Sequence, residues 1–133
     1  LAATFLGRMC LSGGVEQLTD EQWRLAREAI ALYRKAAPVI KYGVSRRFGA
    51  SGESWRHPRG WPAVLRRSGD LALVVLHTFA GAPARVDVPL AGEWRLEAAF
   101  TEADFRFAPG YLDVQTGGDF TGSVFLFRAP GQA

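Results

Sequence analysis

The chain has 133 residues, 48% hydrophobic and 22% charged, which suffices for one domain of ordinary size with a sizeable core. Its 16 basic and 13 acidic residues leave a net charge of +3, and the arginines are spread along the chain, which argues against a nucleic-acid stripe. No apolar run has the length of a membrane-spanning helix, and the single cysteine, Cys10, excludes an internal disulfide or a cysteine metal cluster.

Residues 1–6 read as the end of a helix, with Gly7 as a left-handed C-cap. Arg8-Met9-Cys10-Leu11-Ser12, bracketed by glycines, reads as a short buried strand, with Cys10 a small core hydrophobe rather than a nucleophile. Gly13-Gly14 opens a loop. Thr19 then has the character of an N-cap and Gln22 stands at capping-box spacing, while Asp20 and Glu21 favour the positive end of a helix. From residue 20 to about 36 the period is helical. Trp23, Ala26, Ile30, Tyr33 and Ala37 form one apolar stripe, and Leu25, Ala29, Leu32 and Ala36 lie beside it. Arg24, Arg27, Glu28, Arg34 and Lys35 take the opposite side. Pro38 is expected to stop or kink the helix at Ala37.

Residues 39–62 show little periodicity. Phe48-Gly49-Ala50-Ser51-Gly52-Glu53-Ser54 is loop-like in composition. In the segment that follows, Trp55, Arg56, His57 and Trp61 admit two readings: a platform on which a sugar stacks, or buried cement between two parts of the protein. From Ala63 the period becomes two. Residues 63–67 and 71–79 form a hairpin through Ser68-Gly69-Asp70, and Leu71-Ala72-Leu73-Val74-Val75-Leu76 is apolar on both faces, as in a central strand covered on each side. Arg85-Val86-Asp87-Val88-Pro89-Leu90 alternates, with Pro89 marking an edge. Residues 93–98 are expected to point Trp94, Leu96 and Ala98 inward. Phe105-Arg106-Phe107 is a short candidate strand, and residues 111–115 and 123–128 are expected to pair through Gly117-Gly118-Asp119. Short strands at this spacing predict an antiparallel sandwich or barrel. His57 and His77 do not make a zinc site, which needs three or four ligands; His77, inside an apolar strand, reads as a core residue.

A lone strand at 8–12 has no partner in this reading. The wide helix face from Trp23 to Ala37 needs a covering layer that self-contained hairpins do not offer. The chain is therefore expected to be an α+β fragment, the C-terminal piece of a larger enzyme. Leu6-Gly7-Arg8-Met9-Cys10-Leu11-Ser12-Gly13, Leu18-Thr19-Asp20-Glu21-Gln22-Trp23, Tyr33-Arg34-Lys35 and Ser54-Trp55-Arg56-His57-Pro58-Arg59-Gly60-Trp61, in that order, resemble the C-terminal part of α-galactosidase-like enzymes of glycoside hydrolase family 36 and its clan. The resemblance implies the last β-α unit of a (β/α)8 barrel over 1–43, a connection over 44–62 and an antiparallel β-sandwich domain over 63–133. It also implies retaining hydrolysis of a terminal α-galactoside by two aspartates, roughly 5 Å apart as retention requires. No position here matches their motifs, so no catalytic residue is assigned.

Barrel enzymes work at the C-terminal ends of their strands, which would put Ser12 and Gly13 at the rim of the sugar pocket, as an ordinary turn or as substrate-binding residues. No metal and no cofactor is expected. The expected partner is an α-galactoside bound to the full-length protein, with no nucleic acid and no membrane, and the expected address is cytoplasmic. A homo-oligomer, a protein-interaction module and a stand-alone carbohydrate-binding sandwich stay open. Phe125 and Phe127 are candidates for an exposed aromatic row on the last of these.

Overall fold

The computed structural model describes residues 1–51 and 54–131. A 3-10 turn at Ala2–Leu6 and another at Val15–Gln17 precede the helix α1 (Asp20–Tyr42). Eight strands follow among the described residues: β1 (Val44–Ser51), β2 (Gly60–Ser68), β3 (Leu71–His77), β4 (Arg85–Leu90), β5 (Arg95–Phe100), β6 (Phe105–Ala108), β7 (Gly110–Gln115) and β8 (Gly122–Arg128). They make a five-stranded sheet, β1-β2-β3-β8-β5, and a three-stranded sheet, β4-β7-β6. All strand pairs are antiparallel.

The helix starts where its chemistry says it should. The Gln22 N–H donates to Thr19 Oγ1 at 3.2 Å and the Thr19 N–H donates to Gln22 Oε1 at 2.9 Å, so two otherwise unpaired donors are satisfied. Arg24 ties Glu21 and Glu28 on the solvent side. Against the expectation from its ring, Pro38 does not end the helix, which runs to Tyr42. A missing N–H and a ring clash cost about 3 kcal/mol in a helix interior. Burial of Val39 and Ile40, about 1.5–3 kcal/mol each, offsets that cost.

The deepest face of α1 is Ala26, Ala29, Leu32, Ala36, Val39 and Ile40, while Trp23, Ile30 and Tyr33 lie half-buried on its flank. This face packs on one side of the five-stranded sheet, against Leu71, Leu73, Val75, Val124 and Leu126. The layer that the sequence reading could not find is therefore the large sheet itself. Its other side meets Val86, Val88, Leu90, Leu112 and Val114 of the smaller sheet. The molecule has three layers, and β3 and β8 are buried on both faces, as the unbroken apolar run of β3 predicts.

Several expectations are corrected. Residues 8–12 are not a strand: no neighbouring strand bonds them, and their anchor is Tyr33, whose hydroxyl donates to the Gly7 carbonyl at 2.8 Å and accepts the Met9 N–H at 3.3 Å. Cys10 is exposed, not buried. Gly7 is extended (φ −159°), not left-handed. Phe48 to Ser51 is strand, not loop, and the expected connection 44–62 thus contains β1, paired to β2 along its length. Gly49 explains the misreading. It sits in the strand at φ +83°, and a Cβ there would lie 2.1 Å from the Trp61 carbonyl oxygen, so the strand needs a residue that composition counts as loop. Arg46 and Arg47 are exposed on this edge strand, where charge discourages pairing with another chain.

Residues 111–115 and 123–128 do not pair. β7 has one apolar face (Leu112, Val114) and joins the small sheet, whereas β8 is apolar on both faces and lies second from the edge in the large one. A register shift between Leu96 and Ala98 in β5 leaves Leu96 exposed, while Ala98 packs on the helix-side core. Gly52 and Glu53 of the expected loop lie outside the described residues. The hairpin through Gly69-Asp70 and the edge position of Pro89 in β4 agree with the sequence.

Candidate functional site

Ser12 and Gly13 lie in the exposed segment between the two 3-10 turns. Gly13 takes φ +83°, the left-handed region that favours glycine, with open space where a side chain would stand. Its carbonyl accepts the Val15 N–H at 2.8 Å, which tightens the turn.

A hollow of about 470 Å³ opens where the first 3-10 turn and α1 meet the ends of β3, β5 and β8. Arg24, Glu28, His77, Thr101 and Glu102 supply its polar groups. Gly122 lets the 3-10 turn lie close, since a Cβ there would stand 2.7 Å from that of Ala2. Most of these polar groups are already engaged. Arg24 donates to Glu28 at 2.6 Å, and the Thr101 hydroxyl meets that of Ser123 at 2.7 Å and accepts the Ala103 N–H at 3.0 Å. His77 stands at the hollow, where burial holds its pKa below the usual imidazole value of 6.5. A neutral imidazole and a carboxylate at the mouth suit hydrogen bonding to a polar ligand. Among the described residues no group of three or more His, Cys, Asp or Glu side chains is placed to hold a metal.

The aromatic segment divides. Trp61, in β2, is half-buried against the core between the two sheets. Trp55, in contrast, is 83% exposed. Phe125 and Phe127 are fully buried between the sheets, where they meet Phe105 and Phe107 at 5.0 and 4.9 Å. An exposed aromatic row at those two positions is thereby excluded. Two features escaped the sequence. Phe120 projects into solvent, because its exposure depends on a loop geometry that no periodicity encodes. Asp113 is buried on the outward side of β7, bonded by Arg85 at 2.7 Å through Oδ2, while Oδ1 has no partner among the described residues. An acid between Leu112 and Val114 was the available signal for the second.

No protein-family model matches the chain, and no curated protein matches it. Among solved structures, the fold is similar to that of an α-amylase from H. orenii, with a TM-score of 0.50 and 18% identity. The match covers 85% of this chain and 21% of that one, so the chain spans about a fifth of the length of the enzyme it resembles. What is shared is a fold of antiparallel sheets with one long helix.

Proposed function

We propose that the chain is the C-terminal part of a glycoside hydrolase of the α-galactosidase type, in which the segment through Gly13 adjoins the catalytic barrel and α1 with the two sheets forms the accessory domain. The observation that carries this reading is the fold likeness to a fifth of a glycosidase. The ordered motifs from Leu6 to Trp61 support the galactosidase branch. Half-buried Trp23 and Ile30 on α1 supply apolar surface for further packing.

On this reading, hydrolysis is done by two carboxylates carried upstream, one attacking the anomeric carbon and one protonating the leaving oxygen. This chain contributes the rim. Gly13 lets the main chain approach the sugar, and the Ser12 hydroxyl donates a hydrogen bond to a sugar oxygen.

The test compares the product of the complete coding sequence with the 133-residue chain on an aryl α-galactoside. Turnover by the former and none by the latter is expected. Turnover by the isolated chain would sink the assignment, and intact protein that cleaves α-glucosides but not α-galactosides would sink its galactoside half. In the intact protein Ser12→Ala should lower kcat/KM about tenfold, the value of a hydrogen bond near 1.4 kcal/mol; an unchanged kcat/KM removes Ser12 from the site.

A further inference from the structure

Three connections gather at one end of the sandwich, and they hold aromatic rings out in water. The main chain pins them together. The Gly60 N–H donates to the Ala80 carbonyl at 3.0 Å and the Phe79 N–H donates to the Gly60 carbonyl at 2.8 Å. Buried Thr78 donates its hydroxyl to the Gly118 carbonyl at 2.9 Å and accepts the Thr121 N–H at 2.9 Å. Buried Thr116 donates to the Pro83 carbonyl at 2.6 Å. On this rigid base stands Phe120, 66% exposed and at φ +56°. A bulky residue rarely takes that conformation, and one that does is held there by its surroundings. Its contact with Phe79, edge-on at 6.2 Å, buries little of it.

Across from it, the turn from Ser54 is closed by the His57 N–H donating to Ser54 Oγ at 3.2 Å. That turn lifts Trp55 into solvent with the Arg56 guanidinium 5.0 Å over its ring. A hollow of about 320 Å³ lies beside Phe120, lined by Arg56, His57, Pro58, Arg59, Ala80 and Phe120. Among the described residues its side-chain polar groups are two guanidiniums and an imidazole, with no carboxylate in the lining. Among the described residues, Arg56 and Arg59 make no ion pair.

The lining decides the ligand class. A neutral sugar, whose hydroxyls donate as well as accept, is matched by mixed donors and acceptors, whereas guanidiniums match a carboxylate in fork geometry. Exposed ring faces beside them suit the flat C–H face of a pyranose. We infer that this end binds an anionic saccharide, a uronosyl residue whose carboxylate sits between Arg56 and Arg59 and whose ring lies on Phe120. This goes beyond the glycosidase reading and stands without it, because no catalytic step is involved.

The test is calorimetric titration of the 133-residue chain with galacturonic acid trimer, neutral galactose trimer, an aspartate oligomer of equal charge, and inorganic sulfate. Saturable binding of the uronate, at least about tenfold tighter than any of the other three and weakened by salt, is expected. Arg59→Ala should cost about tenfold and Arg59→Lys less, since lysine keeps the charge but not the fork. Phe120→Gly should weaken binding about fivefold while the chain remains at least as heat-stable, because glycine accepts the conformation that Phe120 strains to hold. Equal affinity for the neutral trimer, for the aspartate oligomer or for sulfate would overturn the inference. So would unsaturable binding, or wild-type affinity in Arg59→Ala or Phe120→Gly.

Discussion

The two faces of the five-stranded sheet bury different kinds of side chain. Between the sheets the core is aromatic: Phe125 and Phe127 from β8 meet Phe105 and Phe107 from β6, with Trp61 and Trp94 at the margin. Under the helix the inward face is mostly aliphatic, Ala26, Ala29, Leu32, Ala36, Val39 and Ile40, with Phe5 of the first 3-10 turn buried beside it. Facing sheets stand about 10 Å apart, and rings fill that gap. A helix that presents alanines can settle closely on the pleat. The difference teaches that one strand pair, β3 and β8, specifies two cores at once, because alternate residues serve opposite faces.

This shared pair can be tested by breaking either side. The largest effect is expected between the sheets: Phe125→Ala should cost about 3–5 kcal/mol by lost burial and the cavity left behind. Leu32→Ala, beneath the helix, should cost about 2–5 kcal/mol. Because β3 and β8 belong to both cores, both variants should shift the same single unfolding transition, followed by circular dichroism and by tryptophan fluorescence. If Leu32→Ala melts the helix in a separate, earlier step, the helix is an appendage and the shared-core account fails.

A smaller change sharpens the helix side. Thr19→Ala removes a capping-box acceptor and should cost about 1 kcal/mol in urea midpoint analysis, with the slope m unchanged. A cost that Thr19→Ser fails to recover would mean that capping is not the cause.

The smallest effect depends on pH and concerns His77, where the sheet ends at the 470 Å³ hollow. Burial lowers its folded pKa below 6.5, so the unfolded chain takes up its proton first. Its contribution to stability is complete above about pH 6.5 and is lost as pH falls towards the folded pKa. Between about pH 7.5 and pH 5.5, His77→Gln should lose less stability than the parent chain. Equal losses would show that the imidazole is not the group responsible.

Much of the fold was legible because its cause is local. The capping box, the helix from Thr19 onward and the two-sided strand at Leu71 all follow from spacing that acts within a few residues. The failures have one physical source. Pro38 and Gly49 break local rules and are tolerated because distant partners, the sheet under α1 and Trp61 beside β1, hold the backbone in place. Residues 8–12 satisfy a local rule and still form no strand, since a strand needs a neighbour to bond.

The candidate sites divide in the same way. Adjacency along the chain sets that a loop opens at Gly13 and that Trp55 and Arg56 stand together, whereas Ser12 was expected in a strand that does not form. Only the tertiary structure decided that Phe125 and Phe127 face inward while Phe120 faces out, and that Phe120 shares a hollow with Arg56 and Arg59. Which sheet a strand joins fixes which of its faces is covered, and that choice minimises exposed apolar surface over the whole molecule rather than along the chain.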